Sequence, residues 1–316
     1  METRPLGTTG LRVPVLSVGA GPVSGLFTSP TPEVSRPRQI ELLQWAQQLG
    51  IDWIDTAPGY GQGLSESAVG TVLSGSPELE HFRIATKVRL QPHELSDPAR
   101  AIENSVEQSL RRLQRPAVTL LQLHNAITRV AGEVPDSVGL DDVLRPGGIA
   151  EGLARIQERG WTRLVGLTGL GETDAVEAVI ESGRFATIQL PVNALLLRDP
   201  ALADPRVGEL ALSQILPRCH KQGMGVFAIR VFAGGALAGA EPSPHTLRTR
   251  YFPMPVYRRD LAATEALRQQ SPTGRTAAEL ALPPVLARHE VSSAIVGFSQ
   301  PHEIREAVDA AGTHRG

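Results

Sequence analysis

The sequence predicts an α/β fold, a single (β/α)8 TIM barrel that begins with a β-hairpin. Short apolar runs alternate with longer amphipathic segments along the whole chain, which is the pattern of strands joined by helices. Eight apolar runs can be counted, and a parallel sheet joined by helices can close on itself and so remove its exposed edges. No shift in composition marks an internal linker, so residues 1–316 are expected to form one domain.

The predicted strands begin after a short hairpin. The segment RPLGTTGLRV predicts two extended pieces around a turn that contains glycine, and this hairpin is expected to close the bottom of the barrel. Each barrel strand is then predicted from one apolar run. The runs are VPVLSVG (13–19), IDWID (51–55), FRIATKV (82–88), VTLLQLH (118–124), TRLVGLT (162–168), ATIQL (186–190), GVFAI (225–229) and SAIVGF (293–298).

Helices are predicted where amphipathic patterns fill the intervals between the strands. The patterns cover residues 38–49, 98–113, 149–159, 173–182 and 301–311. Asp97 before Pro98 and Thr173 before Asp174 are residue types that suit the N-cap of a helix. The sequence therefore indicates where two of these helices begin.

Two connections between predicted elements are long. One follows the fourth strand, over residues 125–147, and the other follows the seventh, from residue 230 to about residue 258. Loops of this length in a compact domain are usually functional, and the loops after barrel strands surround the active site. Both are expected to shape a substrate pocket.

The composition indicates a small-molecule partner. The formal net charge is −2, from 31 basic and 33 acidic residues without a block of like charge, so neither nucleic acid nor a membrane surface is an expected partner. The chain has one cysteine, Cys219, which excludes an intrachain disulfide and a zinc site built from cysteines. The segment METRPLGTTG lacks the apolar run of a signal peptide, so a cytoplasmic location is expected. The composition does not predict the oligomeric state.

Ionisable side chains stand at the C-terminal ends of three successive predicted strands. Asp55 ends the second strand, Lys87 lies at the end of the third, and His124 ends the fourth. These strands are neighbours in a barrel, so their ends are expected to meet at one mouth. Tyr60, in the turn PGYG after the second strand, can fold back over the same mouth. The set has no metal-ligand spacing, so no metal is expected.

An acid, an amine, an imidazole and a phenol together suit proton transfer at an oxygen atom. A phenol with an ordinary pKa of about 10 is a poor proton donor until a neighbouring cation lowers that pKa, and Lys87 would be this cation. Asp55 would keep the desolvated ammonium charged and in place, and His124 would point a hydrogen bond at a substrate oxygen. Such a site has no electron source, so a redox cofactor must supply the hydride.

Each of these residues also has a structural interpretation when it is taken alone. Asp55 can be a turn former, Tyr60 a loop aromatic and His124 a core histidine whose hydrogen bonds are satisfied. Lys87 can be an accident of drift, although it is one of two lysines in a chain that otherwise uses arginine. Their order at three consecutive strand ends favours the catalytic interpretation.

Four segments resemble a known family: GIDWIDTAPGYGQGLSESAVG, ATKV, LLQLHN and SAIVGFSQPHEIREAV. They are similar to segments of the aldo-keto reductase superfamily, and the similarity covers nearly the whole chain. The resemblance implies a catalytic tetrad of Asp55, Tyr60, Lys87 and His124 and a nicotinamide cofactor, NAD(H) or NADP(H), that lies extended across the barrel mouth. Tyr60 would be the general acid when a carbonyl is reduced and the general base when an alcohol is oxidised.

The resemblance also implies which residues contact the cofactor. They are Gly19, Ala20, Gly21, Asp55, Thr168, Gly169, Gln189, Ile229, Arg230, Val231, Gly297, Phe298, Ser299 and Glu303. Gln189 matches a family glutamine that contacts the nicotinamide carboxamide.

The chain departs from the family at two of these places. Thr168 and Gly169 stand where many relatives have a Ser-Asn pair, and similar Thr-Gly sequences occur in members that resemble sugar 1-dehydrogenases. Ile229 and Arg230 replace a stacking aromatic and the serine that follows it. Arg230 could instead approach the cofactor pyrophosphate.

The resemblance favours NAD(H) over NADP(H). Relatives that prefer the phosphorylated form carry basic residues at two places after the eighth strand, where this chain has Gly297 and Glu303. A carboxylate near the adenosine ribose can accept hydrogen bonds from a free hydroxyl and repels a phosphate.

The function predicted from the sequence is an NAD(P)-dependent oxidoreductase that acts on an aldehyde, a ketone or an aldose, or on the corresponding alcohol. One alternative is a barrel that binds nicotinamide as a redox sensor or regulatory subunit with little turnover. Another is a barrel lyase or isomerase that uses no nicotinamide. The sequence identifies neither the substrate nor the physiological direction.

Overall fold

A computed structural model describes residues 1–312 of the chain; the last residues of the predicted domain, 313–316, lie outside this range. Within residues 1–312, eight parallel strands close into a barrel in the order β10, β11, β12, β3, β4, β5, β6, β9. The barrel strands are β3 (Leu16–Gly19), β4 (Trp53–Asp55), β5 (Arg83–Val88), β6 (Val118–Leu123), β9 (Thr162–Thr168), β10 (Thr187–Pro191), β11 (Gly225–Ile229) and β12 (Val291–Val296). The predicted (β/α)8 barrel is confirmed.

The predicted N-terminal hairpin is also confirmed. Strand β1 (Thr3–Pro5) pairs antiparallel with β2 (Arg12–Pro14). The sequence predicted one strand over residues 13–19, but the chain divides there at Val15, whose N–H donates to Glu2 of the hairpin (3.0 Å) while its carbonyl accepts from Ala294 of the barrel (2.8 Å). Val15 is thus the point where the chain leaves the hairpin and enters the barrel.

Helices surround the barrel. Those of the described residues are α1 (Pro32–Gln48), α2 (Leu64–Ser74), α3 (Pro98–Leu113), α4 (Leu140–Leu144), α5 (Ile149–Glu158), α6 (Thr173–Glu181), α7 (Ala194–Arg198), α8 (Leu212–Lys221), α9 (Met254–Gln269), α10 (Ala277–Leu286) and α11 (Pro301–Gly312). Helix α1 begins before the predicted residue 38; Pro32 suits its first turn, and Pro37 lies inside the helix.

The two predicted N-caps have different outcomes. The Asp97 carboxylate accepts a hydrogen bond from the N–H of Arg100 (3.2 Å), which confirms it as the cap of α3. Thr173 was wrong as a cap, since α6 begins at Thr173 itself and Glu172 is the N-cap residue. The Thr173 hydroxyl accepts instead from the N–H of Ala211 (3.2 Å), so it joins α6 to the segment before α8.

Both long connections contain local structure. The first holds two short strands that pair in parallel, β7 (Ile127–Thr128) and β8 (Val138–Gly139), followed by α4. The second ends earlier than predicted, because α9 begins at Met254 rather than near residue 258. Before α9 it holds a 3₁₀ turn over Ala233–Ala238.

The barrel interior is apolar at its lower end. Leu6 and Val13 of the hairpin plug the bottom and pack in one cluster with Trp53 and Phe227, whose ring centroids lie 5.1 Å apart. A separate and larger core fills the layer between the strands and the helices. The polar side chains of the candidate site lie at the opposite end of the barrel, at the C-terminal ends of the strands. Among the helices of residues 1–312, none is long and apolar enough to span a membrane.

Cys219 is expected to be chemically inert in the native protein. Its thiol lies in α8 with no exposed surface, and burial raises its pKa to about 12, so the reactive thiolate is scarce near neutral pH. At pH 8 we expect no measurable reaction with Ellman's reagent until the protein is unfolded, when one thiol per chain should react. Rapid modification of the native protein would contradict the burial of α8 against the barrel.

Candidate active site

The structure brings the four predicted catalytic residues together at the barrel mouth. Asp55 is the last residue of β4, Lys87 lies near the end of β5, and His124 directly follows β6. These strands are hydrogen-bonded neighbours, so their ends converge as predicted. Tyr60 lies in the turn between β4 and α2, where its N–H donates to the carbonyl of Ala57 (3.1 Å) and the chain folds back over the mouth.

Lys87 is the centre of the site. Its side chain is 1% exposed, and its ammonium donates to Asp55 Oδ2 (2.5 Å), the Thr56 carbonyl (2.9 Å) and the Tyr60 hydroxyl (3.2 Å). All three of its N–H groups are therefore used. Burial acts to lower the pKa of Lys87, but the charge of Asp55 and the hydrogen bonds to Asp55 and Tyr60 outweigh burial and raise that pKa above its ordinary value. Lys87 is a permanent cation in contact with the phenol oxygen.

Two glutamines hold the second oxygen of Asp55. The amide of Gln189 donates to Asp55 Oδ1 (2.5 Å), and the amide of Gln122 lies 3.4 Å from the same atom. Gln189 was predicted from the resemblance as a cofactor contact, whereas Gln122 was not predicted at all. The available signal was its position in VTLLQLH, two residues before His124 and hence on the same face of the strand.

The phenol and the imidazole face one opening. The ring centroids of Tyr60 and His124 lie 5.8 Å apart, and the rings are nearly perpendicular at 83°. Both side chains are partly exposed, while Asp55 and Lys87 beneath them are buried. A carbonyl oxygen that enters the mouth can therefore meet the Tyr60 hydroxyl and the His124 ring without displacing the ion pair.

His124 is expected to stay neutral near physiological pH. Burial, the charge of Arg89 and the charge of Lys87, in that order, hold its pKa well below its ordinary value. The unfolded chain takes up this proton near pH 6.5 and the folded site does so only at lower pH. The stability present above about pH 6.5 should therefore fall as the pH drops from there through the folded pKa.

Histidine NMR titration of the ¹⁵N-labelled protein tests this expectation, with His124→Gln as the assignment control. We expect the His124 ring to remain neutral well below pH 6.5. Arg89→Gln should raise its midpoint more than Lys87→Met does. A wild-type midpoint at or above the ordinary histidine value would contradict the electrostatics described here.

A charged cluster that the sequence did not predict lies beside His124. Arg89, directly after β5, contacts Asp136 Oδ2 (3.4 Å), the Tyr251 hydroxyl and the carbonyl of His124 (3.4 Å). Its guanidinium also lies over the Tyr251 ring, 4.4 Å from the centroid. Asp136 accepts further hydrogen bonds from Tyr251 and from Arg250 (2.7 Å). Because Asp136 and Tyr251 belong to different long connections, this cluster joins both connections at the mouth.

The predicted cofactor contacts at the end of β3 lie beside the tetrad. Gly19 and Ala20 are buried, and Ala20 donates its N–H to the carbonyl of Asp55 (2.8 Å). Gly21 faces the Tyr60 ring, since a Cβ at Gly21 would lie 3.7 Å from that ring. The backbone of β3 therefore forms one wall of the mouth next to the phenol.

Thr168 and Gln189 are register partners on the opposite side of the barrel. Both are buried, and within the described residues the Thr168 hydroxyl has no hydrogen-bond partner. Gly169 is closely packed, because a Cβ there would lie 2.4 Å from the end of the Leu190 side chain, which would have to shift to make room. This contact is a physical reason for glycine where many relatives have asparagine.

The residues after β11 lie in two environments. Ile229 packs at the edge of the apolar barrel interior, and Val231 is buried in the outer core. Arg230 has a left-handed φ of 53° and an ion pair with Asp260 (3.2 Å), and it covers the Phe252 ring at 3.5 Å from the centroid. Burial lowers the pKa of Arg230 to about 10 although Asp260 opposes this shift. The contact of Arg230 with a pyrophosphate stays a prediction.

Gly297 and Phe298, after β12, are packed against their surroundings. A Cβ at Gly297 would lie 3.3 Å from Ser24, so the loop after β3 closes over this glycine. Phe298 is buried in the outer core. A side chain at residue 297 would require the Ser24 side chain to move slightly.

The Glu303 carboxylate binds the start of its own helix. It accepts from the N–H (2.7 Å) and the hydroxyl (2.9 Å) of Ser299 and from the N–H of Gln300 (3.1 Å). Free N–H groups at a helix N-terminus form a natural anion site, and here a carboxylate of the chain occupies them.

Comparisons with known proteins agree with this architecture. The sequence profile described as the Aldo/keto reductase family matches residues 23–314. An L-galactose dehydrogenase of Arabidopsis thaliana is 27% identical over 312 residues, which cover 98% of this chain and 88% of the relative. A D-threo-aldose 1-dehydrogenase of a Pseudomonas species is 27% identical over 327 residues, covering 96% and 90%.

A solved structure, the holo form of an aldo-keto reductase from Bacillus halodurans, superposes with a TM-score of 0.71 at 25% identity and covers 99% of this chain and 91% of that one. The family profile spans nearly all of the chain, and the fold agrees with that of the solved relative. The chain therefore belongs to the aldo/keto reductase family.

Proposed function

We propose that the protein is an NAD(P)-dependent oxidoreductase that transfers a hydride between nicotinamide and a carbonyl or alcohol substrate, with Tyr60 as the general acid or base. The observation that carries this proposal is the Lys87 ammonium, which contacts both Asp55 and the Tyr60 hydroxyl in a buried site. A protein that only binds a dinucleotide has no need for a cation placed against a phenol.

The residues at the mouth fit a nicotinamide. The buried Thr168 hydroxyl, which has no partner among the described residues, lies beside Gln189, and the two would hold the carboxamide. Gly21 leaves the space next to the Tyr60 ring free of a side chain. The cofactor would supply the hydride, since none of these side chains can do so.

The tetrad then performs the proton transfer. When a carbonyl is reduced, its carbon gains the hydride and its oxygen gains the proton of the Tyr60 hydroxyl. The Lys87 ammonium at 3.2 Å stabilises the phenolate that is left, and Asp55 keeps Lys87 in place. Neutral His124 donates a hydrogen bond that fixes the substrate oxygen near Tyr60. Alcohol oxidation reverses each step.

Among carbonyl and alcohol substrates, the side chains at the mouth favour a hydroxylated one such as an aldose. Arg89, Asp136 and Tyr251 present hydrogen-bond donors and an acceptor beside His124. The two relatives described above are named for L-galactose and for D-threo-aldoses. We therefore place aldoses first among candidate substrates, ahead of apolar aldehydes and ketones.

A carbonyl panel tests the proposal. The purified protein should consume NADH or NADPH with at least one member of a panel of aldoses and short aldehydes, or reduce NAD⁺ or NADP⁺ with the matching alcohols. Binding of dinucleotide, seen by fluorescence, without consumption by any member would favour a redox sensor. Failure to bind either dinucleotide would favour a lyase or isomerase.

NAD(H) is expected to be the preferred dinucleotide. A ribose 2′-phosphate at the start of α11 would meet the Glu303 carboxylate, which already holds the N–H groups there, and Gly297 offers no compensating charge. A tenfold preference requires only about 1.4 kcal/mol. Glu303→Arg should move the ratio of kcat/KM for NADPH and NADH towards NADPH by roughly this factor or more.

The matched control is Glu306→Arg, which makes the same charge change at an exposed position one turn later in α11. It should leave the ratio near its wild-type value. A wild-type protein that is clearly faster with NADPH would show that other residues recognise the ribose.

A further inference from the structure

A fully buried carboxylate next to the site has no part in the chemistry described above. Glu66 lies in the first turn of α2, six residues after Tyr60, and is 0% exposed. Its carboxylate accepts from the Thr86 hydroxyl (2.5 Å) and from Arg112 Nε (2.7 Å). A buried carboxylate of this kind is retained only where its partners are well placed, which indicates that Glu66 has a specific role.

We propose that Ser65 and Glu66 are positioning residues that fix the distance between the Tyr60 hydroxyl and the Lys87 ammonium by tying the start of α2 to the ends of three barrel strands. The inference rests on the proposed function, since it concerns the proton-transfer pair of that site. Neither residue contacts the reacting atoms, and both act through their neighbours.

The Glu66 contact reaches the Lys87 strand. Thr86 directly precedes Lys87 in β5, and successive strand residues point to opposite faces. Lys87 therefore points into the barrel while Thr86 points out towards α2, where its hydroxyl meets Glu66. A shift of α2 along β5 would break this hydrogen bond.

The Ser65 contacts reach the other two strands. Its hydroxyl donates to the carbonyl of Ala20 (2.8 Å), after β3, and bonds the Thr56 hydroxyl (2.7 Å), after β4. The carbonyl of Thr56 is itself an acceptor for Lys87 (2.9 Å), and the N–H of Ser65 donates to the carbonyl of Tyr60 (3.2 Å). One residue, Ser65, thus contacts both the carbonyl of the proton donor Tyr60 and the side chain of Thr56, whose carbonyl accepts from Lys87.

Arg112 of α3 is the second partner of the Glu66 carboxylate. Gly63, with a left-handed φ of 92°, lets Arg112 pass over the start of α2, because a Cβ there would lie 2.8 Å from Arg112 Cδ. Gly70 allows equally close packing further along α2, since its Cβ would lie 2.3 Å from the carbonyl of Arg112. The end of α3 therefore presses α2 against the strands and supplies the charge that balances Glu66.

The competing explanation is that these contacts serve folding alone. Loss of a purely structural contact lowers Tm and leaves kcat of the remaining folded enzyme unchanged. Loss of a positioning contact lowers kcat with KM little changed, because a misplacement of about 1 Å can cost as much as 100-fold in rate. It also disturbs the hydrogen bond between the Lys87 ammonium and the Tyr60 hydroxyl and so changes the pH profile of kcat.

The test uses Thr86→Val, which keeps the shape of the side chain but removes the hydroxyl, and Thr86→Ser, which keeps the hydroxyl. At a temperature where both are folded, Thr86→Val should lower kcat by roughly 10- to 100-fold and change the pH profile of kcat. Thr86→Ser should restore most of the rate and the profile. Ser109→Ala is the control, since it removes another side-chain partner of Arg112 (3.2 Å) and leaves Glu66 untouched.

The ¹³C NMR signals of labelled tyrosine rings, assigned with Tyr60→Phe, give a readout that needs no turnover. At one fixed pH, the Tyr60 ring signal should move in Thr86→Val and return in Thr86→Ser. An unchanged pH profile of kcat and an unchanged Tyr60 signal in Thr86→Val would overturn the positioning role, whatever happens to Tm. A Tyr60 signal that moves in Thr86→Val, in a protein that turns over no carbonyl, would uphold the positioning role and reject the proposed function.

Discussion

Tyr60→Phe is expected to lower kcat by at least about 100-fold while the affinity for dinucleotide stays near that of the wild type. The change removes one oxygen atom, the one that lies 3.2 Å from the Lys87 ammonium, and keeps the ring against His124. A transition state in which the carbonyl oxygen gains negative charge would lose its proton donor. The measurement is kcat with one substrate alongside dinucleotide Kd from fluorescence.

Tyr257→Phe is the matched control for this variant. It removes a tyrosine hydroxyl that donates to the carbonyl of Ala240, far along the chain from the tetrad. Its kcat should stay close to that of the wild type. Near-normal turnover by Tyr60→Phe would remove Tyr60 from the mechanism.

Lys87→Arg is expected to reduce kcat by roughly 100-fold even though it keeps the positive charge. The Lys87 ammonium meets three acceptors at 2.5, 2.9 and 3.2 Å in a site that is 1% exposed. A guanidinium is larger and planar and donates in a fixed fork, so it cannot reproduce contacts arranged around one nitrogen. The measurement is kcat with its pH profile, together with Tm to show that the variant is folded.

Lys221→Arg provides the control, because Lys221 is exposed at the end of α8 and is the other lysine of the chain. It should change neither rate nor pH profile. An Lys87→Arg enzyme with wild-type rate and profile would show that the site requires only a positive charge near Tyr60.

The fold could be predicted largely from the sequence because strand and helix periodicities differ. Strands β9 and β11 and helix α3 have the predicted bounds, since each combines a clear pattern with polar or glycine residues at its ends. The division at Val15 was missed because the seven-residue run VPVLSVG fits one strand as well as two. Only the hydrogen-bond partners of Val15 show that the run forms two strands rather than one.

The tetrad could be predicted because chain order fixes which strand ends are neighbours in a closed barrel. The partners of the tetrad could not be predicted in the same way. The Gln189 contact with Asp55 and the Tyr251 contact with Asp136 join residues far apart in sequence. A strand pattern shows which face of the sheet a residue lies on, but it does not show which residue it contacts. A carboxylate in the first turn of a helix usually interacts with the helix dipole, whereas the side chain of Glu66 is buried against Thr86, a contact that its position in the sequence does not indicate.

The most direct test of the central claim follows the hydride itself. The protein is incubated with NADH or NADPH carrying deuterium at the transferable C4 position and with the best substrate of the carbonyl panel, and the product is examined by mass spectrometry and NMR. We expect one deuterium on the former carbonyl carbon for each dinucleotide oxidised, and loss of this transfer in Tyr60→Phe. Product that forms without deuterium at that carbon, or a dinucleotide that binds and is never oxidised, would contradict the assignment of this barrel as a hydride-transfer enzyme.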